Sequence, residues 1–270
     1  LENYKLHRRF DRMGRLVGDY GMKRLVDSHV MIIGLGGVGS WAAEAIARSG
    51  VGIVSLVDFD EVCITNANRQ LHALHKMVGK SKSGLMAERL VAINPRIDAR
   101  AIHMFYSKEN AEEIFADKPD FVIDAIDNIT AKCHLIAKCL SEDIPIVTST
   151  GASGRMDPTQ IDVADLAKTH NDPMAREVRR ILREQYEFPR KGKFGVPAVF
   201  SSERIRMPLP VLYDEGKGFQ CVCPQRPEGT HTCDNRHLIY GTAGFLTGSF
   251  GLTCASVVVR ELLKDVKDVF

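Results

Sequence analysis

The stretch His29-Val30-Met31-Ile32-Ile33-Gly34-Leu35-Gly36-Gly37-Val38-Gly39-Ser40 decides the fold. Its apolar run reads as a strand and its glycines as a tight turn. Trp41-Ala42-Ala43-Glu44-Ala45-Ile46-Ala47 then reads as a helix that stops at Gly50. Glycine has no Cβ to hold a phosphate away from the backbone, and the start of the helix adds free N–H groups and a positive dipole end. Gly34 is assigned the turn, Gly36 the close approach and Gly39 the helix–strand contact, with Gly37 between them. An isolated G-x-G-x-x-G says little. Between an apolar strand and a helix it reads as a nucleotide-binding turn.

Outward from the turn, Gly52 to Asp60 forms a second nearly continuous apolar run, of the kind buried on both faces of a parallel sheet. Asp58 lies about twenty residues beyond the glycines, where a Rossmann pattern places a carboxylate for ribose hydroxyls. Asp60 follows it. Asn66, Arg69 and Lys82 come next, and two cations here suit a triphosphate better than the bridging pyrophosphate of a nicotinamide dinucleotide. That contrast moves the reading from hydride transfer to nucleotidyl chemistry. A third strand is predicted near Arg100 to Phe105, and a fourth runs from Phe121 to an acidic tip at Asp127-Asn128. Such a tip falls at the carboxyl edge of the sheet, where open α/β folds bind ligands, so Asp127 is a candidate to hold Mg²⁺ or organise the reacting phosphate. Asn128 is either a cofactor contact or the cap of a helix over Thr130 to Leu140. A fifth strand, Ile144 to Ser149, leads into Gly151-Ala152-Ser153-Gly154, read as a flexible crossing.

With 270 residues, 44% hydrophobic and 26% charged, the chain can build one large α/β core. A formal charge of +2 announces no nucleic-acid binder, so any basic surface must be local. One such stretch spans residues 172–193, where Arg176, Arg179, Arg180, Arg183, Lys191 and Lys193 are candidate phosphate contacts and a solvated helix face is the plainer alternative. Residues 1–24 are basic and amphipathic and do not read as a secretory signal. Seven cysteines without regular spacing suggest reduced thiols in a cytoplasmic protein. The uncharged segment 238–259 is long enough for a membrane span, but its Gly, Ser and Thr content favours a buried helix.

With these residues in place, the pattern resembles the E1-like adenylating superfamily that includes the bacterial MoeB and ThiF proteins and the ubiquitin-activating enzymes. Arg9-Phe10-Asp11-Arg12 is similar to the motif that one subunit extends into its partner's ATP site, with Arg12 as the inserted arginine. Gly34 to Gly39 resembles the ATP loop, Asp58-Phe59-Asp60 the ribose-binding acid, and Asn66, Arg69 and Lys82 the triphosphate set. Asp124-Ala125-Ile126-Asp127-Asn128 resembles D-x-x-D-N, whose second aspartate is catalytic and metal-associated.

The resemblance implies a Rossmann-like fold, mainly a parallel doubly wound sheet extended by a mixed or antiparallel C-terminal part. Within one E1-like adenylating domain it implies a helical arm at 1–27, a nucleotide-binding half at 28–154 and a substrate and dimerisation half at 155–270. It also implies ATP and Mg²⁺ as cofactors, with room for a monovalent cation, and a homodimer. Two C-x-x-C pairs for zinc are missing; Cys221-Val222-Cys223, Cys233 and Cys254 do not make a closed tetrahedral set, and no structural zinc is expected. No cysteine lies between Ser141 and Gln220 to take an acyl group as a thioester.

Both absences, and the blocks Asn171 to Arg180 and Val199 to Glu203, resemble the tRNA threonylcarbamoyladenosine dehydratases, ligase-type enzymes that act on tRNA. The alternative is a MoeB/ThiF-type activator of a ubiquitin-like sulfur carrier protein. A third reading is a scaffold for a cysteine desulfurase or other sulfur-acceptor system.

Overall fold

The computed structural model describes residues 5–211, 240–266 and 269. β1 (His29–Ile33) is buried along its whole length. Side chains alternate across a strand, so Val30 and Ile32 enter one core while Met31 and Ile33 enter the other. At about 1.5–3 kcal/mol for each fully buried side chain of this size, a strand so placed is a major source of stability.

β1 pairs in parallel with β2 (Ile53–Val57) on one side and β4 (Phe121–Asp124) on the other. Beyond β2 lies β3 (Asp98–Ile102), and beyond β4 lie β5 (Ile146–Ser149), β7 (Pro197–Ser201) and β6 (Ile161–Asp165). Only the β6–β7 pair is antiparallel. The strand order 3-2-1-4-5-7-6 reverses direction between β1 and β4, which opens a crevice at the carboxyl ends of those two strands. The fold class read from the sequence is therefore found, a mainly parallel sheet with an antiparallel C-terminal addition. The same sheet also continues from the first half of the chain into the second.

α2 (Gly39–Arg48), α3 (Lys82–Ile93) and α7 (Gly244–Leu263) cover one face of the sheet. α4 (Ala111–Ile114), α5 (Ile129–Ser141) and α6 (Pro173–Gln185) cover the other. α7 is apolar and long enough to cross a membrane, yet 61% of its most apolar window is buried, largely against α2. The basic N-terminal segment forms α1 (Asp11–Val26), which is broken at Gly18 (φ 67°, ψ 177°) where a single helix was expected.

Three further expectations need correction. The third strand begins and ends earlier than Arg100 to Phe105. β6 was not foreseen. Gly151 to Gly154 is not a flexible crossing: Gly151 N–H donates to Asp172 at 3.0 Å and Gly154 N–H to the Gly241 carbonyl at 2.7 Å. Cys63, Cys133, Cys139 and Cys254 are buried cysteines. Burial pushes Cys133 and Cys254 up to about 12. Cys221, Cys223 and Cys233 lie outside the described residues.

Candidate active site

The glycine turn lies in the crevice between β1 and β4. Gly34 has φ +90°, a conformation that costs a residue with a Cβ, and its N–H donates to the Val57 carbonyl at 2.9 Å. A methyl on Gly39 would lie 1.8 Å from the Gly34 carbonyl oxygen, so the turn closes only because that position is glycine. α2 starts there with no side-chain cap, and Ser40 N–H is taken by the Gly36 carbonyl at 3.1 Å, so the turn and the first turn of the helix are continuous.

Asp58 is built into this turn. Its carboxylate accepts from Leu35 N–H at 2.6 Å and Asp60 N–H at 2.8 Å. Burial pushes its pKa up, against the opposing pull of Lys82. These two bonds take one acceptor position on each carboxylate oxygen, of about four in all. Lys82, buried at the start of α3, donates to Asp60 at 2.6 Å. Asn66 is also buried, and its Oδ1 accepts from Cys63 N–H at 3.0 Å to set the loop that carries Arg69. Arg69 itself is brought to the glycine turn: a methyl on Gly37 would meet its Cγ at 3.2 Å and Thr247 Oγ1 at 3.0 Å. The segment leading into α7 supports that loop, with Asn68 Nδ2 donating to the Thr242 carbonyl at 2.8 Å.

On the β4 side, Ala125 N–H donates to the Ile33 carbonyl at 2.9 Å, and the Ala125 carbonyl abuts Gly34. The acidic tip and the glycine turn are thus one piece of backbone. Asp127 is exposed at this edge. Asn128 caps α5, its Oδ1 accepting from Ala131 N–H at 3.0 Å, so that oxygen serves the helix.

The structure does not bring Arg12 to this crevice. Phe10 packs beside Gly50 and Arg9 donates to the Ile93 carbonyl at 3.4 Å, which puts the start of α1 at the far end of α2, about 15 Å of helix away from the turn.

The basic segment divides. Arg180 is ion-paired to Glu177 and Glu184, and Arg183 lies over the Phe194 ring at 5.1 Å. Arg179 donates to Thr169, which draws it inward. Arg176, Lys191 and Lys193 are exposed. Arg176 and Arg179 line a cleft of about 360 Å³ together with Arg204, Asn171, Pro173 and Ile205.

Two buried pairings were not read from the sequence. Asp124 is fully buried and accepts from Lys132 Nζ at 2.7 Å, Thr148 Oγ1 at 2.6 Å and Ile126 N–H at 3.1 Å. Arg155, also buried, pairs with Asp172 at 3.3 Å and donates to carbonyls of Gly151, Asn171 and Glu203. No local spacing announces these pairings; for Asp124 and Lys132 the one available signal was an ionisable residue inside a largely apolar run, and for Arg155 and Asp172 there was none.

His72, buried beside Lys82, is held down at about 4 by burial and by the charges of Lys82 and Arg89. Between pH 6.5 and 4 the unfolded chain therefore takes up a proton that the folded chain refuses. Stability is complete above pH 6.5 and falls as pH drops toward 4, by up to about 3 kcal/mol. Urea midpoints should decline across that window, and those of a His72→Phe chain should decline less.

Comparison with known proteins extends these observations. The family model described as ThiF family matches residues 10–269. The tRNA threonylcarbamoyladenosine dehydratase of Escherichia coli is 40% identical over 257 residues, covering 94% of this chain and 93% of that protein. The solved structure of the Escherichia coli dehydratase, TcdA, in complex with ATP superposes with a TM-score of 0.81 at 37% identity, over 95% of this chain and 94% of that one. Its complex with AMP gives 0.81 at 38% identity, over 95% of each chain. The likeness thus runs through the C-terminal half, including the basic helix, and is not confined to the nucleotide turn.

Proposed function

The chain belongs to the ThiF family, and from that premise we propose that it is an ATP-dependent tRNA threonylcarbamoyladenosine dehydratase. The observation that carries the reading is the backbone union of glycine turn and acidic tip beside Arg69, in a chain whose likeness to the dehydratase runs from end to end.

The substrate carboxylate attacks the α-phosphorus of ATP, forming an acyl–AMP and expelling pyrophosphate. An internal group of the same modified adenosine then attacks the acyl carbon, closes a ring and expels AMP, which keeps the carboxylate oxygen. The net change in the nucleoside is loss of one water. No enzymic nucleophile is needed, in keeping with the buried, high-pKa thiols among the described residues.

The protein's own contribution is placement and charge. The glycine turn and the uncapped start of α2 receive phosphate, and Asp58 receives the ribose. Arg69 and Lys82 offset charge on the triphosphate, Lys82 moving from Asp60 to a phosphate oxygen as the nucleotide binds. Asp127 fits Mg²⁺: it is a single exposed carboxylate, with no group of three or more His, Cys, Asp or Glu ligands among the described residues, and this cation takes one or two carboxylates and fills its shell with phosphate and water. Bound there, Mg²⁺ would withdraw charge from the phosphate oxygens. Arg176, Arg179, Lys191 and Lys193 meet tRNA phosphates, while Arg180 and Arg183 shape the helix that presents them.

Arg12 acts across a homodimer. Leu16 and Tyr20 are 73% and 68% exposed on α1, beside an apolar groove of about 420 Å³ between α1 and α7. Such a surface suits a second copy. An Arg12→Ala chain should be inactive alone and should restore activity when mixed with Asp127→Ala subunits, because one of the two sites then has both groups. A mixed dimer without activity would refute donation across the interface.

The substrate is tested by mass spectrometry of nucleosides from tRNA incubated with the protein and ATP. Threonylcarbamoyladenosine should lose the mass of one water. Unchanged tRNA, together with ATP–pyrophosphate exchange that depends on a small protein ending in Gly-Gly, would favour the sulfur-carrier reading instead.

A further inference from the structure

His72 lies two residues beyond Gln70, and both are buried, 3% and 7% exposed. Its Nε2 is 3.1 Å from Gln70 Oε1. A carboxamide oxygen can only accept, so the imidazole proton is on Nε2 and Nδ1 bears a lone pair. That Nδ1 is buried and has no hydrogen-bond partner among the described residues. An apolar ring of similar size would fill the space without stranding a polar atom, so packing alone does not explain histidine here.

The Nε2–H does have a use. With Oε1 of Gln70 held by the imidazole, the other end of the carboxamide is fixed as well, and Gln70 Nε2 lies 4.0 Å from where a methyl on Gly36 would be. Gly36 is the residue over which a phosphate comes closest to the backbone. Gln70 also follows Arg69 directly, so the two donors reach the glycine turn from one loop.

We propose that His72 is a positioning residue for the nucleotide: it orients the Gln70 carboxamide so that its N–H donors face the phosphates above Gly36. The inference rests on the reading of this turn as the ATP site and adds a layer behind it. Buried next to Lys82 and Arg89, the imidazole stays neutral at working pH, so it serves as a fixed donor with a single proton.

The test is ATP affinity by calorimetry on the full chain, with the thermal midpoint and kcat for AMP formation measured alongside. His72→Phe should weaken ATP binding about tenfold, the scale of one hydrogen bond to a charged acceptor, without lowering the thermal midpoint and with kcat within twofold. His72→Gln, whose amide nitrogen can take the place of Nε2, should bind within twofold of the parent. His72→Asn, which reaches only the position of Nδ1, should resemble His72→Phe. Gln70→Leu should show the same loss, and the double variant His72→Phe, Gln70→Leu should be no worse than Gln70→Leu alone.

Parent-like affinity in His72→Phe, or equal affinity in His72→Asn and His72→Gln, would overturn the proposal and leave the ATP reading standing. The Asn and Gln pair decides the question even if the Phe variant does not fold. A parent chain with no affinity for ATP would overturn both.

Discussion

An Asp127→Ala chain is expected to bind ATP within a few-fold of the parent and to lose AMP formation by a factor of at least about 10²–10³. The binding groups are elsewhere: the glycine turn is closed by Gly34 and Gly39, and Asp58 is tied to Leu35 and Asp60. None of these depends on the Asp127 side chain. What is removed is the exposed carboxylate at the carboxyl edge of β4, next to the turn, where the proposed mechanism has charge develop as the α-phosphorus is attacked. Equilibrium ATP binding measured with single-turnover AMP release separates the two effects. Undiminished turnover would remove Asp127 from the mechanism.

Lys132→Met should produce the largest loss of stability, about 3–5 kcal/mol. Lys132 Nζ and the Asp124 carboxylate are both essentially inaccessible, 2.7 Å apart. The ammonium also reaches Thr148 Oγ1 at 3.2 Å and the Ser149 carbonyl at 3.0 Å. Deleting it leaves a buried carboxylate with no countercharge, which costs far more than the intact pair contributes. Replacing both partners, Lys132→Met with Asp124→Leu, should recover part of the lost stability, because no buried charge is then left without a countercharge, while Thr148 Oγ1, the Ser149 carbonyl and Ile126 N–H still lose a partner. Activity should not recover with it: Asp124 also holds Ile126 N–H, and so the conformation of the segment leading to Asp127. Denaturant midpoints and AMP formation on both variants, beside the parent, check both halves of the claim. A double variant no more stable than the single one would show that the network stabilises the fold through something other than charge compensation.

The sequence was legible where burial is uniform. β1, β2, β4 and β5 lie inside the sheet, so their residues are apolar almost without interruption, and the runs mark the strands. β3 (Asp98–Ile102) and β6 (Ile161–Asp165) are the two sheet edges, partly exposed along their length, and their mixed composition hid one and shifted the other. The candidate site follows the same logic. Gly34 to Gly39, Asp58, Arg69 and Asp127 fall at fixed places relative to strand ends, which a one-dimensional pattern records. The Lys132–Asp124 and Arg155–Asp172 pairs, and the reach of Gln70 back to Gly36, exist only once the chain has folded. Arg180 shows the opposite error: its charge was visible, but the glutamates that occupy it stand one turn away on the same helix and belonged in the reading.

The burial of Cys63, Cys133, Cys139 and Cys254 has a practical corollary. A thiol reagent can reach those sulfurs only during moments when the surrounding core parts. The rate at which each is alkylated is then a local clock for opening events: Cys133 and Cys139 report on α5, Cys254 on α7. Adding ATP to such a reaction would reveal, sulfur by sulfur, how far the grip on nucleotide travels through the core.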